Sequence, residues 1–177
     1  LLLVIVVIAI LATICVVAYK GVAVRSSNTR TVANINSYYK SIQLYRSMNR
    51  VYPPAPGEGT ANVALVCLGM GYANGRCGTI SGTQVNQSQA FMDDLRARSG
   101  NDLSASVNDR SGAVGGETFT GAVYGIDYVA AGHSATGRGR VIEWIMEGAN
   151  QKCGIAGAWA YSSANGNTAC ELNIEDY

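Results

Sequence analysis

The chain has 177 residues, a formal net charge of +1 and a hydrophobic fraction of 48%. That length is typical of one domain, and that apolar fraction excludes a disordered chain because it can build a core. A net charge near zero argues against general nucleic-acid binding, which requires a basic surface to displace counterions. We therefore predict no specific nucleic acid as a partner.

The first stretch, LLLVIVVIAILATICVVAY, contains no charged side chain. It lacks the charged start and the A-x-A-like cleavage site of a signal peptide, and it is longer than the apolar core of about 7–15 residues found there. At about 1.5 Å per residue it is just long enough to cross a bilayer core. We predict that residues 1–24 form a transmembrane or filament-core helix. Its apolar side chains are Leu1, Leu2, Leu3, Val4, Ile5, Val6, Val7, Ile8, Ile10, Leu11, Ile14, Val16 and Val17.

Residues 25–50 predict an amphipathic continuation of the same helix. Its apolar positions recur at spacings of three and four: Val32, Ile35, Tyr39 and Ile42. This spacing is typical of a helix that packs one face on a core. The helix is expected to end at VYPPAPG, since proline cannot continue it. Gly21 is the expected weak point between the two halves, because glycine costs about 1 kcal/mol in a helix interior.

Residues 51–177 are predicted to form a globular head with one small core. NQSQAFMDDLRARSG predicts a short helix with Asn86 or Ser88 as its N-cap and Gly100 as its stop. ETFTGAVYGIDYVA and RVIEWIMEG are rich in β-branched and aromatic residues and predict strands. GAWAYSSANGNTACELNI predicts a hairpin that turns at Asn165-Gly166. The expected fold class is α+β, with the amphipathic half of the long helix on a small antiparallel sheet.

The cysteines indicate the compartment. Cys15 lies in the apolar run, and the other four allow three connectivities, of which sequence neighbours favour Cys67–Cys77 and Cys153–Cys170. Neither pair has CxxC spacing and the chain has one histidine, so we predict no zinc site. Disulfides that brace the head in an oxidising compartment are the preferred interpretation, and four free cytosolic thiols are the alternative.

No motif predicts catalysis, so we expect neither an enzyme nor a bound cofactor. GMGYANG and GRGR contain closely spaced glycines, but neither follows a strand and opens a helix as a phosphate-binding loop does. His133 lies beside a serine without an orienting acid nearby. The adjacent carboxylates of Asp93-Asp94 and Glu175-Asp176 suit calcium, but without EF-hand-like spacing they are predicted to be solvated surface groups.

The run LLLVIVVIAILA resembles the N-terminal helix of type IV pilins and of type II secretion pseudopilins. QLYRSMNRVYPP is similar to the way many of these proteins end that helix, with a Tyr, a few polar residues and Tyr-Pro. Cysteines near the C-terminus that close a loop, as Cys153 and Cys170 would, are also common in pilins. The likeness is specific up to the YPP stop and generic beyond it.

The resemblance implies a major pilin, that is, the structural subunit of an extracellular filament built by packing of N-terminal helices. Its head would form the outer surface, for adhesion, motility or DNA uptake. Its partners would be identical subunits and the pilus assembly machinery, with the cytoplasmic membrane holding the subunit before assembly. Mature family members begin with an aromatic residue and carry a glutamate before the leucine-rich run, so residues upstream of Leu1 are expected. Many type IV pilins also have a proline in the apolar segment, whereas the first proline here is Pro53.

The cations that follow the apolar span bear on its orientation in the membrane. Lys20, Arg25 and Arg30 follow the span, and the positive-inside rule would place them in the cytoplasm. The cysteines and the resemblance place that side outside, and we follow them.

The alternatives are a minor pilin or pseudopilin, which differs in abundance, and a single-pass membrane-anchored extracytoplasmic binding domain. The second alternative predicts a flexible linker after the span and a pocket with convergent polar groups.

Overall fold

The architecture is α+β, with two helices on one face of a curled, mixed β-sheet. The structure, a computed structural model, describes residues 2–59, 63–80, 82–100, 103, 106–114, 117–127, 139–162 and 165–174. In chain order the elements are α1 (Leu2–Asn49), β1 (Val63–Cys67), β2 (Arg76–Ile80), β3 (Thr83–Asn86), α2 (Gln89–Ser99), β4 (Ser111–Val114), β5 (Glu117–Thr120), β6 (Ala122–Asp127), β7 (Gly139–Met146), β8 (Trp159–Ser162) and β9 (Thr168–Asn173).

The prediction of one long helix is confirmed. α1 has 48 residues, which at about 1.5 Å each makes it about 72 Å long. It continues through Gly21, where an added Cβ would meet nothing within 4 Å. The helix ends at Asn49, and the next residue, Arg50, adopts φ 61° and donates its N–H to the Arg46 carbonyl at 2.7 Å. The prolines of the YPP stop follow directly.

The described strands form a nine-stranded sheet in the order β4-β5-β2-β3-β1-β6-β7-β9-β8. Neighbouring strands are antiparallel except β1 and β3, which are parallel with Val66 opposite Asn86. The prediction of a small antiparallel sheet is therefore wrong in this respect. The reason lies in the connections: β2 lies two positions away from β1, and β3 pairs antiparallel with β2 in the position between them, where it runs in the same direction as β1.

The predicted strand segments are present with one subdivision. ETFTGAVYGID is divided at Gly121, which has φ 77°, into β5 and β6. RVIEWIM belongs to β7, and the hairpin around Asn165-Gly166 connects β8 to β9. The short helix α2 begins after Ser88, whose Oγ accepts the Phe91 N–H at 3.3 Å, and ends at a left-handed Gly100. Strands β1 to β4 were not predicted.

The sheet curls until β4 lies against β9, where the Asn167 side-chain amide donates to the Ser111 carbonyl at 2.8 Å. Two clusters of buried side chains result. One fills the inside of the curl and includes Phe119, Val123 and Ile145. The other lies between the sheet and the two helices, and it is the core that holds α1 on the head.

Each cluster contains one disulfide. Cys67–Cys77 links β1 to β2 inside the curl, and Cys153–Cys170 lies in the helix-facing core. This is the pairing that sequence neighbours favour. Gly154, with φ 73°, allows the loop next to Cys153 to approach α1, because a Cβ there would lie 2.9 Å from a methyl group of Val32.

Candidate assembly interface

The first half of α1 exposes apolar side chains in every direction around the helix. None of its most apolar window is buried. Of the predicted filament-core residues, those with described side chains are between 46% and 76% exposed: Leu3, Val4, Ile5, Val6, Val7, Ile8, Ile10, Leu11 and Ile14. Leu1 and the side chains of Leu2, Val16 and Val17 lie outside the described part. A continuous exposed apolar surface of this kind marks a contact with lipid or with another protein.

The second half of α1 is part of the head. Ile35 and Ile42 are fully buried in the helix-facing core, and Val32 and Tyr39 pack against it while partly buried. Tyr38 is buried as well, as expected for a tyrosine between a helix and a sheet, and its hydroxyl donates to the Leu103 carbonyl at 2.7 Å. The buried stripe is therefore wider than the four predicted positions.

Side-chain hydrogen bonds attach the start of the amphipathic half of α1 to the head. The Asn28 side-chain oxygen accepts the Glu147 N–H at 2.8 Å, and its amide donates to the Glu147 carbonyl at 3.0 Å and to Gln151 Oε1 at 3.3 Å. Asn34 donates to the Val107 carbonyl at 3.2 Å. Sequence reasoning missed Asn28 because it counted apolar residues only. Its spacing of seven from Ile35, two helical turns, was the available signal.

A partly buried ion pair holds the segment that follows α1. The Arg140 guanidinium donates to Glu58, one bond being 2.9 Å, and to the Pro53 carbonyl at 3.2 Å. The Tyr124 hydroxyl also donates to Pro53, at 2.8 Å. Burial raises the Tyr124 pKa above its ordinary value, although the nearby Arg140 charge opposes this. The segment from Pro53 to Glu58 is thus fixed to β6 and β7, so the head holds α1 at Asn28 and also holds the segment that follows its C-terminal end.

Charge is distributed unequally between helix and head. Residues 1–50 carry six of the 13 Lys and Arg residues and none of the 12 acidic residues, so they are net +6. The rest of the chain carries the other seven basic and all 12 acidic residues, net −5. The three cations nearest the apolar half, Lys20, Arg25 and Arg30, are exposed and make no ion pair within the described residues.

The other singled-out residues do not come together. Asp93 pairs with Arg96 at 2.6 Å and Asp94 with Arg98 at 3.2 Å, so α2 itself neutralises both carboxylates. In the described residues there is no group of three His, Cys, Asp or Glu side chains that could hold a metal. GMGYANG lies between β1 and β2, and the last two residues of GRGR, Gly139 and Arg140, begin β7, while its first two lie outside the described residues. His133 and Glu175-Asp176 lie outside the described residues.

No protein-family model, curated protein or solved structure matches the chain. The structure itself supports a general description of the chain and not its membership of a family. In the part of the chain that the structure describes, α1 is the one helix long and apolar enough, by length and composition, to cross a membrane, and it lies near the N-terminus. An N-terminal helix that could anchor the chain in a membrane is thus combined with a disulfide-braced head.

Proposed function

We propose that the chain is a structural subunit, a major pilin, of a type IV pilus-like extracellular filament. The observation that carries the proposal is the contrast along one unbroken helix. Its first half is apolar and exposed on all sides, and its second half belongs to the core of the head. Burying each Leu, Ile or Val is worth about 1.5–3 kcal/mol, so the exposed half requires cover. The cytoplasmic membrane supplies that cover before assembly, and neighbouring helices supply it in the filament.

The rigid junction between helix and head supports a filament subunit over an anchored binding domain. An anchor needs no fixed angle to its domain, whereas repeated packing does. α1 continues unbroken from the apolar half to Asn28, which is hydrogen-bonded to the head, and Arg140 holds the segment that follows the amphipathic half. Contacts between different surfaces of identical subunits that do not close produce a helical filament. The pilin-like head would then form the outer surface for adhesion, motility or DNA uptake.

The test is to shear surface appendages from cells that express the full chain and to image them by cryo-EM. The chain should be the repeating subunit. Ile8→Leu should still assemble, and Ile8→Asp should not, because a charge in the middle of the apolar half costs about 2.5–3.5 kcal/mol on membrane insertion alone. Wild-type chain found only as membrane-bound monomer would refute the proposal.

Cys15 offers a second measurement, because it is the free, exposed cysteine and the other four form disulfides. A bis-maleimide should cross-link Cys15 between neighbouring copies in sheared filaments. Subunits dispersed in detergent should stay monomeric under the same treatment. Equal cross-linking in both samples would show that the products arise from random collision.

A further inference from the structure

The cations that follow the apolar half of α1 form a ring around the helix. Lys20, Arg25 and Arg30 are five residues apart, and five residues advance an α-helix by about 140°, so the three side chains point to different sides. All three are exposed, and none has an ion-pair partner in the described part of the chain. We name these three residues the basic collar.

From these positions we infer that the basic collar binds the phosphate groups of anionic phospholipids while the subunit is in the membrane. This inference rests on the membrane stage of the proposed function. The exposed Tyr19 immediately precedes the collar and marks the edge of the apolar run, where aromatic side chains favour the membrane interface. Lys20 and Arg25 are about 7.5 Å apart along the helix, comparable to the headgroup layer. Arg30 lies within about one Debye length of that layer.

Two features favour lipid over a protein partner. Before assembly, a headgroup layer surrounds the helix with phosphate groups on all sides, which matches a collar that points to all sides, whereas a single protein partner would contact one side only. Helical side chains also lean toward the helix N-terminus, and here that direction brings the Arg25 and Arg30 guanidinium groups back toward the bilayer. Beyond the collar, residues 31–177 carry 10 basic and 12 acidic residues, net −2, so the same anionic surface would not attract them. Attraction confined to the collar keeps α1 upright with the head away from the membrane.

The experiment places the full chain in nanodiscs as single subunits. A donor fluorophore on Cys15, about 7.5 Å along the helix from Lys20, transfers energy to a headgroup acceptor carried either by phosphatidylglycerol or by phosphatidylcholine. One cation beside an anionic headgroup gives about a fivefold preference, so the anionic acceptor should be enriched about two- to fivefold at low salt. Raising the salt concentration to 0.5 M should remove most of that enrichment.

The variant Lys20→Gln/Arg25→Gln/Arg30→Gln should lose the enrichment. A matched control replaces three exposed cations far from the collar, Lys40→Gln/Arg50→Gln/Lys152→Gln, and should keep it. The Cys15 probe emission reports insertion in every sample and should be unchanged.

Four results would overturn the inference. The first is no enrichment of the anionic acceptor around inserted wild-type chain, and the second is an equal loss of enrichment in the control variant. The third is a Cys15 emission that places the probe in water. The fourth is a collar variant that keeps the lipid enrichment but no longer assembles into filaments in a salt-sensitive way. The last result would assign the collar to the acidic head of another copy. Because the nanodiscs hold single subunits, lipid binding can fail while filaments form, and filaments can be absent while lipid binding holds.

Discussion

Two residues on opposite faces of α1 test whether its amphipathic half is truly part of the head. Ile42 is 0% exposed in the helix-facing core, whereas Leu44 is 42% exposed two positions later. Ile42→Ala removes three carbon atoms, each worth about 0.8 kcal/mol, and leaves a cavity. We expect a loss of about 3 kcal/mol in the free energy of unfolding. Leu44→Ala removes the same number of carbon atoms, but this side chain is already half exposed to solvent and its removal leaves no cavity. The loss in the free energy of unfolding should therefore be less than about 1 kcal/mol.

The assay is urea unfolding of the full chain in a non-denaturing detergent, which covers the apolar half of α1. The fluorescence of Trp144, fully buried in the same core as Ile42, reports the transition. With a slope of about 1.5–2 kcal/mol/M, Ile42→Ala should lower the urea midpoint by about 1.5–2 M. Similar midpoints for the two variants would refute the reasoning, because α1 would then be attached to the head without sharing its core.

Three further changes probe the head. Burial raises the Tyr72 pKa from 10 to about 12, so its contribution to stability is complete below pH 10 and falls by about 1.4 kcal/mol per pH unit up to pH 12. Tyr72→Phe should remove that part of the alkaline loss, measured by urea unfolding at several pH values. Glu58→Gln removes the negative charge beside the buried Arg140 and should cost about 2–3 kcal/mol at pH 7, read from the urea midpoint. Cys153→Ser/Cys170→Ser removes the disulfide that joins residues 17 positions apart and should lower the stability by about 3 kcal/mol, measured by thermal unfolding with circular dichroism.

Each of these measurements has its own control. The alkaline series uses protein with Cys15 blocked, so that this residue cannot exchange with the disulfides, and an unchanged pH profile in Tyr72→Phe would contradict the assignment. Glu58→Asp should retain part of the stability that Glu58→Gln loses, and equal losses would show that side-chain length outweighs charge. For the disulfide, wild-type protein under reducing conditions should lose at least as much stability as the double serine variant, because the reductant also opens Cys67–Cys77, and a smaller loss would contradict the expected constraint.

Local patterns predicted the elements that carry their own signal. The length of α1, its stop at the prolines, the Ser88 and Gly100 boundaries of α2 and the hairpin at Asn165-Gly166 all depend on neighbouring residues. Strands β2 to β4 have four or five residues each and contain Gly, Thr, Ser or Gln, so their composition does not separate them from loops, and β1, VALVC, is apolar but too short to show a period of its own. Their pairing comes from distant partners, and the parallel contact of β1 with β3 leaves no local mark.

The features of the candidate assembly interface also divide into those that residue order determines and those that depend on the tertiary structure. The sequence alone determined that the first half of α1 is apolar without a charge, and that only one face of its second half is apolar, because both are properties of residue order and helical period. Only the tertiary structure decided that Asn28 fixes the start of the amphipathic half to the head, and that Arg140 and Glu58 fix the segment that follows α1. Those contacts join residues 119 and 82 positions apart, and a pairing over such distances depends on how the sheet curls beneath the helix.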